Sequence, residues 1–418
     1  MWNLAVPVCR NLNRGQSNRL THVVPGAPQL WWSHCNQIIM VESQMQFDFH
    51  KIKMSALFSF NRSSSDQVAT EAEQPTTATT TTTATTMMQR GTQTSPKATD
   101  GGSAPESSFF RDNPVLDKQP YGKIMTNDGF ELFYETFGGS HSAKNKKKPI
   151  VVLIHGWSGS RHYWDLNVRL IARSCKVITY DIRHHGDSNA GDKGHGFHVA
   201  RLASDLRDLL IALRLHDVTA VGASMGASII WSYFELFGND GRIGKAVFVD
   251  QAPLQNTAPD WKGGSTGCYD IASLTRLQCR LMEDFKGFAK DNAVFCSSPA
   301  IPDDCLRVLE AETLRASNVA LAAIMADHTA LDWRPVLPRI SIPTLNIIGK
   351  QSRVFPYWGC EEVSRLLPDC KTIYFDHCNH WLYIEEPQRF SKIISLFATS
   401  GFDEFLEVDS NTLQNTEI

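Results

Sequence analysis

From about Tyr121 to Ser400, short apolar runs alternate with amphipathic stretches. KIMTNDGFELFYETFG, starting at Lys123, predicts two strands joined at Asn127-Asp128-Gly129, a turn signal. IVVLIHG from Ile150 and KVITYDI from Lys176 read as buried strands, and RHYWDLNVRLIARS between them as a helix. In FHVARLASDLRDLLIALRL, residues Val199, Leu202, Leu206, Leu209, Leu210 and Leu213 share one face at helical spacing. Arg201 and Asp205 form an i,i+4 pair on another face. VTAVGAS, MGASIIWSYFELFG and KAVFVDQ continue as strand, helix and strand. Such alternation predicts an α/β fold with a mostly parallel sheet flanked by helices on both faces.

The rhythm stops between about Leu254 and Pro338, where polar and helix-forming residues dominate. TLNIIG, CEEVSRLLP, KTIYFDH and PQRFSKIISLF then restore it. This divides the folded part into a first core segment (120–253), a helical lid insertion after the sixth strand (254–338) and a second core segment (339–400). An insertion placed over a sheet edge can shape a pocket.

Residues 1 to about 110 lack this texture. TTATTTTTATT, residues 76–86, holds only Thr and Ala, and a Gly/Ser/Pro-rich stretch follows. Such composition predicts a disordered, low-complexity region. Arg10, Arg14 and Arg19 precede the first acid, Glu42. A basic, acid-free start followed by a polar linker resembles an organelle transit segment, chloroplast or mitochondrial. The competing readings are a plain disordered tail on a cytoplasmic protein, or an upstream extension with Met54 as the real start. A secretory signal is a weaker third, because Pro7 interrupts the apolar patch from Leu4 to Cys9. Residues 401–418 carry acids and no Lys or Arg and read as a flexible tail.

Composition narrows the function. The chain has 418 residues, 42% hydrophobic and 20% charged, which is ordinary for a globular protein. A formal net charge of -3 argues against nucleic acid as partner. KNKKK at 144–148 reads as a solvated loop. No run reaches the ~18 apolar residues of a membrane span, so stable membrane insertion is not expected. The ten cysteines form no CxxC pair, and no metal site is expected; Cys296 and Cys305 are the pair that could meet.

The chemistry lies at strand ends. GASMG, residues 222–226, has the form G-x-S-x-G between an apolar strand and a helix. Its glycines allow a tight turn that projects Ser224 with its hydroxyl exposed, as a nucleophile needs. A serine that merely caps the next helix is the plainer alternative. HGWSGS, residues 155–160, can offer backbone N–H groups to a developing oxyanion. The amides of Trp157 and Met225 are the candidate donors, while His155 orders the loop and takes no proton. NHWLYIEEP follows the last strand, and His380 there can act as general base. His377 competes but lies nearer the strand. Trp164, Trp261 and Trp333 are candidates to line an apolar pocket, although aromatic residues in a lid more often form its own small core.

HGW, DIRHHGDS, GASMG and NHWLYIEEPQRF, in this order, resemble the α/β-hydrolase superfamily over roughly residues 120–400. The serine-nucleophile, lid-bearing esterase and haloperoxidase-like branches are the most similar. The resemblance implies an eight-stranded, mostly parallel sheet and a nucleophile–acid–histidine triad in that chain order. It makes DIRHHGDS a structural loop, so His184 and His185 are not read as metal ligands. The family's usual acid frame, G-x-x-D-x-x-x-P, is kept here as Gly349 to Pro356, but Ser352 stands where the carboxylate belongs. A neutral serine there could orient an imidazole without offsetting its charge. Some members carry the acid one strand earlier, and VFVDQAP places Asp250 there. Asp250 is therefore the expected acid, an Asx turn its plainer role; Asp332 is a remote alternative.

These readings imply a serine hydrolase cleaving a small apolar acyl ester through an acyl-enzyme, with Ser224, His380 and Asp250 as triad and no cofactor. Perhydrolysis on the same triad is one alternative. A non-catalytic ligand-binding protein, supported by the empty acid frame, is another.

Overall fold

The computed structural model describes residues 121–139, 147–190 and 194–403. The expectations for residues 1–110, for Lys144 to Lys146 and for the tail beyond Asp403 lie outside them. Lys148, the last of the charge run, donates from Nζ to the carbonyls of Ala172 (2.8 Å) and Arg173 (3.0 Å).

Eight strands form one sheet in the order β1-β2-β4-β3-β5-β6-β7-β8. They are β1 Gly122–Met125, β2 Glu131–Phe137, β3 Ile150–Ile154, β4 Lys176–Tyr180, β5 Val218–Ala223, β6 Ile243–Val249, β7 Thr344–Gly349 and β8 Cys370–Phe375. β2 is antiparallel to both neighbours, and β3 to β8 pair in parallel. The first hairpin turns where the sequence predicts, with Met125 opposite Glu131 and Gly129 at φ +80°.

Alternate side chains on each strand leave the sheet on opposite faces, and here both faces are buried. Val152, Ile154, Ile178 and Ala220 join one apolar cluster, while Val151, Leu153, Val177 and Val221 join the other. Helices α2 Val199–Ala212 and α3 Met225–Phe237 pack on the first face. Helices α1 Asp165–Ile171 and α10 Pro387–Ser400 cover the second. This accounts for the continuous apolar runs: a strand covered on both sides has no solvent face to keep polar.

Five of the six apolar positions predicted for α2 are buried, and Leu213 is partly so. The Arg201–Asp205 pair forms at 3.0 Å, but not on a solvent face. Asp205 is buried because it also accepts from Nε and Nη2 of the fully buried Arg183, each at 2.7 Å. Burial raises its pKa, and the hydrogen bonds from Arg183 oppose that. A buried guanidinium needs such partners.

Between β6 and β7 the chain makes α4 Ile271–Glu283, α5 Phe285–Cys296, α6 Asp303–Thr313 and α7 Asn318–Ala330. Asp270 and Ser273 cap α4 reciprocally, and Ser317 caps α7. After β7 come α8 Tyr357–Leu366 and, beyond β8, the short α9 Leu382–Glu385. Cys296 and Cys305 are both free thiols, as are the other described cysteines.

The turn from β5 into α3 is a close approach of backbone to backbone. A β-carbon on Gly222 would lie 2.4 Å from the backbone of Gly226, and one on Gly226 would lie 2.5 Å from the carbonyl oxygen of Ile154. Neither neighbour is a flexible side chain, so the backbone itself must move. Gly226→Ala is expected to cost about 1–3 kcal/mol in urea denaturation. Gly267→Ala, which meets open space, should leave the midpoint unchanged.

Candidate active site

Ser224 occupies the turn between β5 and α3 with φ +52° and ψ −124°. A residue with a β-carbon is strained there, and the surroundings hold it in place. Its N–H donates to the Val249 carbonyl at 2.8 Å, tying the turn to the end of β6. The Ser224 hydroxyl donates to Gln251 Oε1 over a long 3.4 Å.

Asp250 follows β6 directly, fully buried, with φ +48°. Its Oδ2 accepts from His380 Nδ1 and from Ser352 Oγ, each at 2.6 Å. Its Oδ1 accepts from the Gly349 N–H at 3.1 Å. A proton on Nδ1 leaves Nε2 of a neutral His380 as an acceptor. The loop after β8 that carries His380 is itself pinned. Asn379 Oδ1 accepts from the N–H groups of His380 and Arg353, both at 2.8 Å. Asn379 Nδ2 donates to the carbonyls of Phe295 and Ser297, each at 2.9 Å.

Ser224 and His380 line one cavity of about 180 Å³. Gly156 and Trp157 form part of its wall, and Leu277, Phe288 and Met325 from the helices between β6 and β7 close over it. Among the described residues that line it, none is Asp, Glu, Lys or Arg. Met225 opens α3, and the first N–H groups of a helix lack intrahelical partners.

The other sequence candidates fall elsewhere. His377 is exposed. Asp332 is exposed and pairs with Arg334 at 2.7 Å. The three tryptophans proposed for the pocket do not line this cavity. Trp164 packs on Tyr383, with ring centres 4.3 Å apart. Trp261 donates to the Leu254 carbonyl at 2.9 Å within a small apolar cluster. Trp333 lies beside Trp231 in the core. Each is buried where large apolar area is best hidden from water. Ser352 bonds to the carboxylate of Asp250 and not to the imidazole. Gln251 and Asn379 sit beside Asp250 and His380 in the quoted motifs without being singled out, and His328, which also lines the cavity, lies in no motif.

His155 and His185 are scaffold. His155 Nε2 accepts from the Ile182 N–H at 3.0 Å, and its Nδ1 donates to the Gly156 carbonyl at 2.8 Å. His185 Nε2 accepts from the Ser158 N–H at 3.3 Å, and its Nδ1 donates to the Arg183 carbonyl at 2.9 Å. Burial lowers His155 to about 4. Burial, and then the neighbouring His155, lowers His185 to about 3.

The family model described as the alpha/beta hydrolase family matches residues 151–393. A relative from Bacillus subtilis (strain 168), provisionally named a 2-succinyl-6-hydroxy-2,4-cyclohexadiene-1-carboxylate synthase, is 25% identical over 257 residues, covering 60% of this chain and 90% of the relative. An esterase from Exiguobacterium antarcticum superposes with a TM-score of 0.60 at 22% identity, covering 66% of this chain and 99% of its own. A bromoperoxidase from Bacillus anthracis does so with a TM-score of 0.60 at 24% identity, over the same shares. The two structures bear on the fold alone.

The buried imidazoles make a pH prediction. Both are neutral in the fold and would charge in the unfolded chain below their ordinary value of 6.5. Their contribution to stability is complete above that value and is lost as pH falls toward about 4. The urea midpoint should therefore be lower near about pH 5 than near about pH 7.5.

Proposed function

The chain belongs to the alpha/beta hydrolase family, and from that membership we propose a serine hydrolase that cleaves a small, uncharged carboxylic ester or related acyl compound. One observation carries the reading: the 2.6 Å contact between Asp250 and the imidazole of His380, which lines the same cavity as the strained Ser224.

Ser224 Oγ attacks the acyl carbon as its proton passes to His380 Nε2. Asp250 fixes the imidazole's tautomer and offsets the charge it gains. The N–H groups of Trp157 and Met225 hold the oxyanion of the tetrahedral intermediate. His380 returns the proton to the departing alcohol, leaving an acyl-serine. Water, activated by the same imidazole, then releases the acid and restores Ser224. Ser224 Oγ makes a long contact with Gln251, and the proposed proton transfer requires the hydroxyl to turn toward His380 Nε2. The helices between β6 and β7 serve as a lid whose apolar side chains exclude water from this chemistry.

A fluorophosphonate probe should label the full chain, and Ser224→Ala should abolish labelling; absent labelling of folded protein would sink the reading. On short-chain p-nitrophenyl esters, Asp250→Asn should lower kcat about 10³- to 10⁴-fold. Ser352→Ala removes one of the donors to Asp250 and should cost about tenfold or less. Both strand ends lie on one rim, so Asp250→Asn combined with Ser352→Asp should recover at least about tenfold over Asp250→Asn alone. Near-normal turnover by Asp250→Asn would remove Asp250 from the triad.

A further inference from the structure

His328 stands on α7 and lines the same cavity as Ser224 and His380. Met325, three residues earlier on the same helix face, lines it too. One turn further back, the Leu321 carbonyl accepts from Trp157 Nε1 at 2.9 Å, which locks this face of α7 to the oxyanion loop. His328 is 1% exposed, yet neither of its ring nitrogens has a hydrogen-bond partner among the described residues. Its polar neighbours in the wall differ in this respect. Asn292 donates to Ser158 Oγ at 3.2 Å, and Tyr163 OH donates to the Leu309 carbonyl at 3.2 Å.

A buried imidazole without partners opposes folding, and a leucine would fill the space at less cost. Burial lowers its pKa to about 4, so the ring is neutral and offers one donor and one acceptor. Both nitrogens are closed to solvent, so a ligand in the cavity meets them when the ring turns, and its polar group then supplies the missing partner. The cavity's 180 Å³ slightly exceeds the roughly 150 Å³ of an apolar cavity known to hold benzene. With no Asp, Glu, Lys or Arg among the described residues of its wall, nothing there complements a charged substrate.

We infer that His328 is a specificity-determining residue that hydrogen-bonds the substrate, and that the substrate is an uncharged molecule about one ring in size carrying a hydroxyl besides its reacting carbonyl. The inference rests on the cavity being the acyl-transfer site, and it adds the substrate's second polar group.

Phenol and toluene, alike in size, test it by calorimetric titration of the full chain. His328→Leu should shift the ratio of their dissociation constants toward toluene by about fivefold or more. The ligand-free His328→Leu protein should melt higher, by about 2–4 °C. His328→Phe serves as a second apolar variant should the leucine not be accommodated, and His328→Gln should retain part of the phenol preference. An unchanged ratio, no binding of either probe, or a lowered melting temperature with the ratio intact would overturn the inference. Fluorophosphonate labelling of the unaltered chain separates the two readings. A shifted ratio without labelling keeps the His328 site and sinks the hydrolase; labelling with an unshifted ratio does the reverse.

Discussion

A carboxylate with no exposure to water must have its charge met by donors, and Asp250 is such a group. Its donors come from separate places in the chain: the imidazole of His380 after β8, the Ser352 hydroxyl, and the Gly349 N–H at the end of β7. Satisfying this one group therefore gathers the loops that follow three adjacent strands. The parallel pairing of β6, β7 and β8 makes this possible, because it brings their C-terminal ends to one rim.

The rim is also where the backbone is strained. Ser224 and Asp250 both have positive φ, at the ends of neighbouring strands. Backbone bonds run from Ser224 N–H to Val249 O, and from Asp250 N–H to Ile347 O. Each strained residue is thus fastened to the next strand in the sheet. The stiffness of the fully buried strands passes directly to the groups that line the cavity, and α3 cannot move nearer the sheet because Gly222 and Gly226 are already in contact.

How much of this was legible follows from the range of the interactions. Strands β3 to β8 could be read because burial on both sides of a sheet leaves continuous apolar runs, and the face of α2 because burial on one side leaves a helical period. The turn at Ser224 carried a local motif. The position of Asp250 followed from the strand before it together with the carboxylate missing from GKQSRVFP. What stayed hidden depends on contacts distant in sequence. Asp205 reads from the sequence as the i,i+4 partner of Arg201, and the buried Arg183, which lies outside that helix, is its second partner. The tryptophans Trp164, Trp261 and Trp333 looked like pocket walls because residue type alone does not distinguish an internal cavity from solid core. Ser352 could be read as a donor to an imidazole, but its partner, 102 residues away, is the carboxylate of Asp250.

The uncharged wall of the cavity has a consequence for encounter as well as for fit. With no charged side chain among the described residues of its lining, the cavity offers little net charge to draw ligands in, and dilute salt has little there to screen. Excluded solutes such as sulfate strengthen the burial of apolar surface, so they favour the occupied state of this cavity where they would weaken a site built on ion pairs.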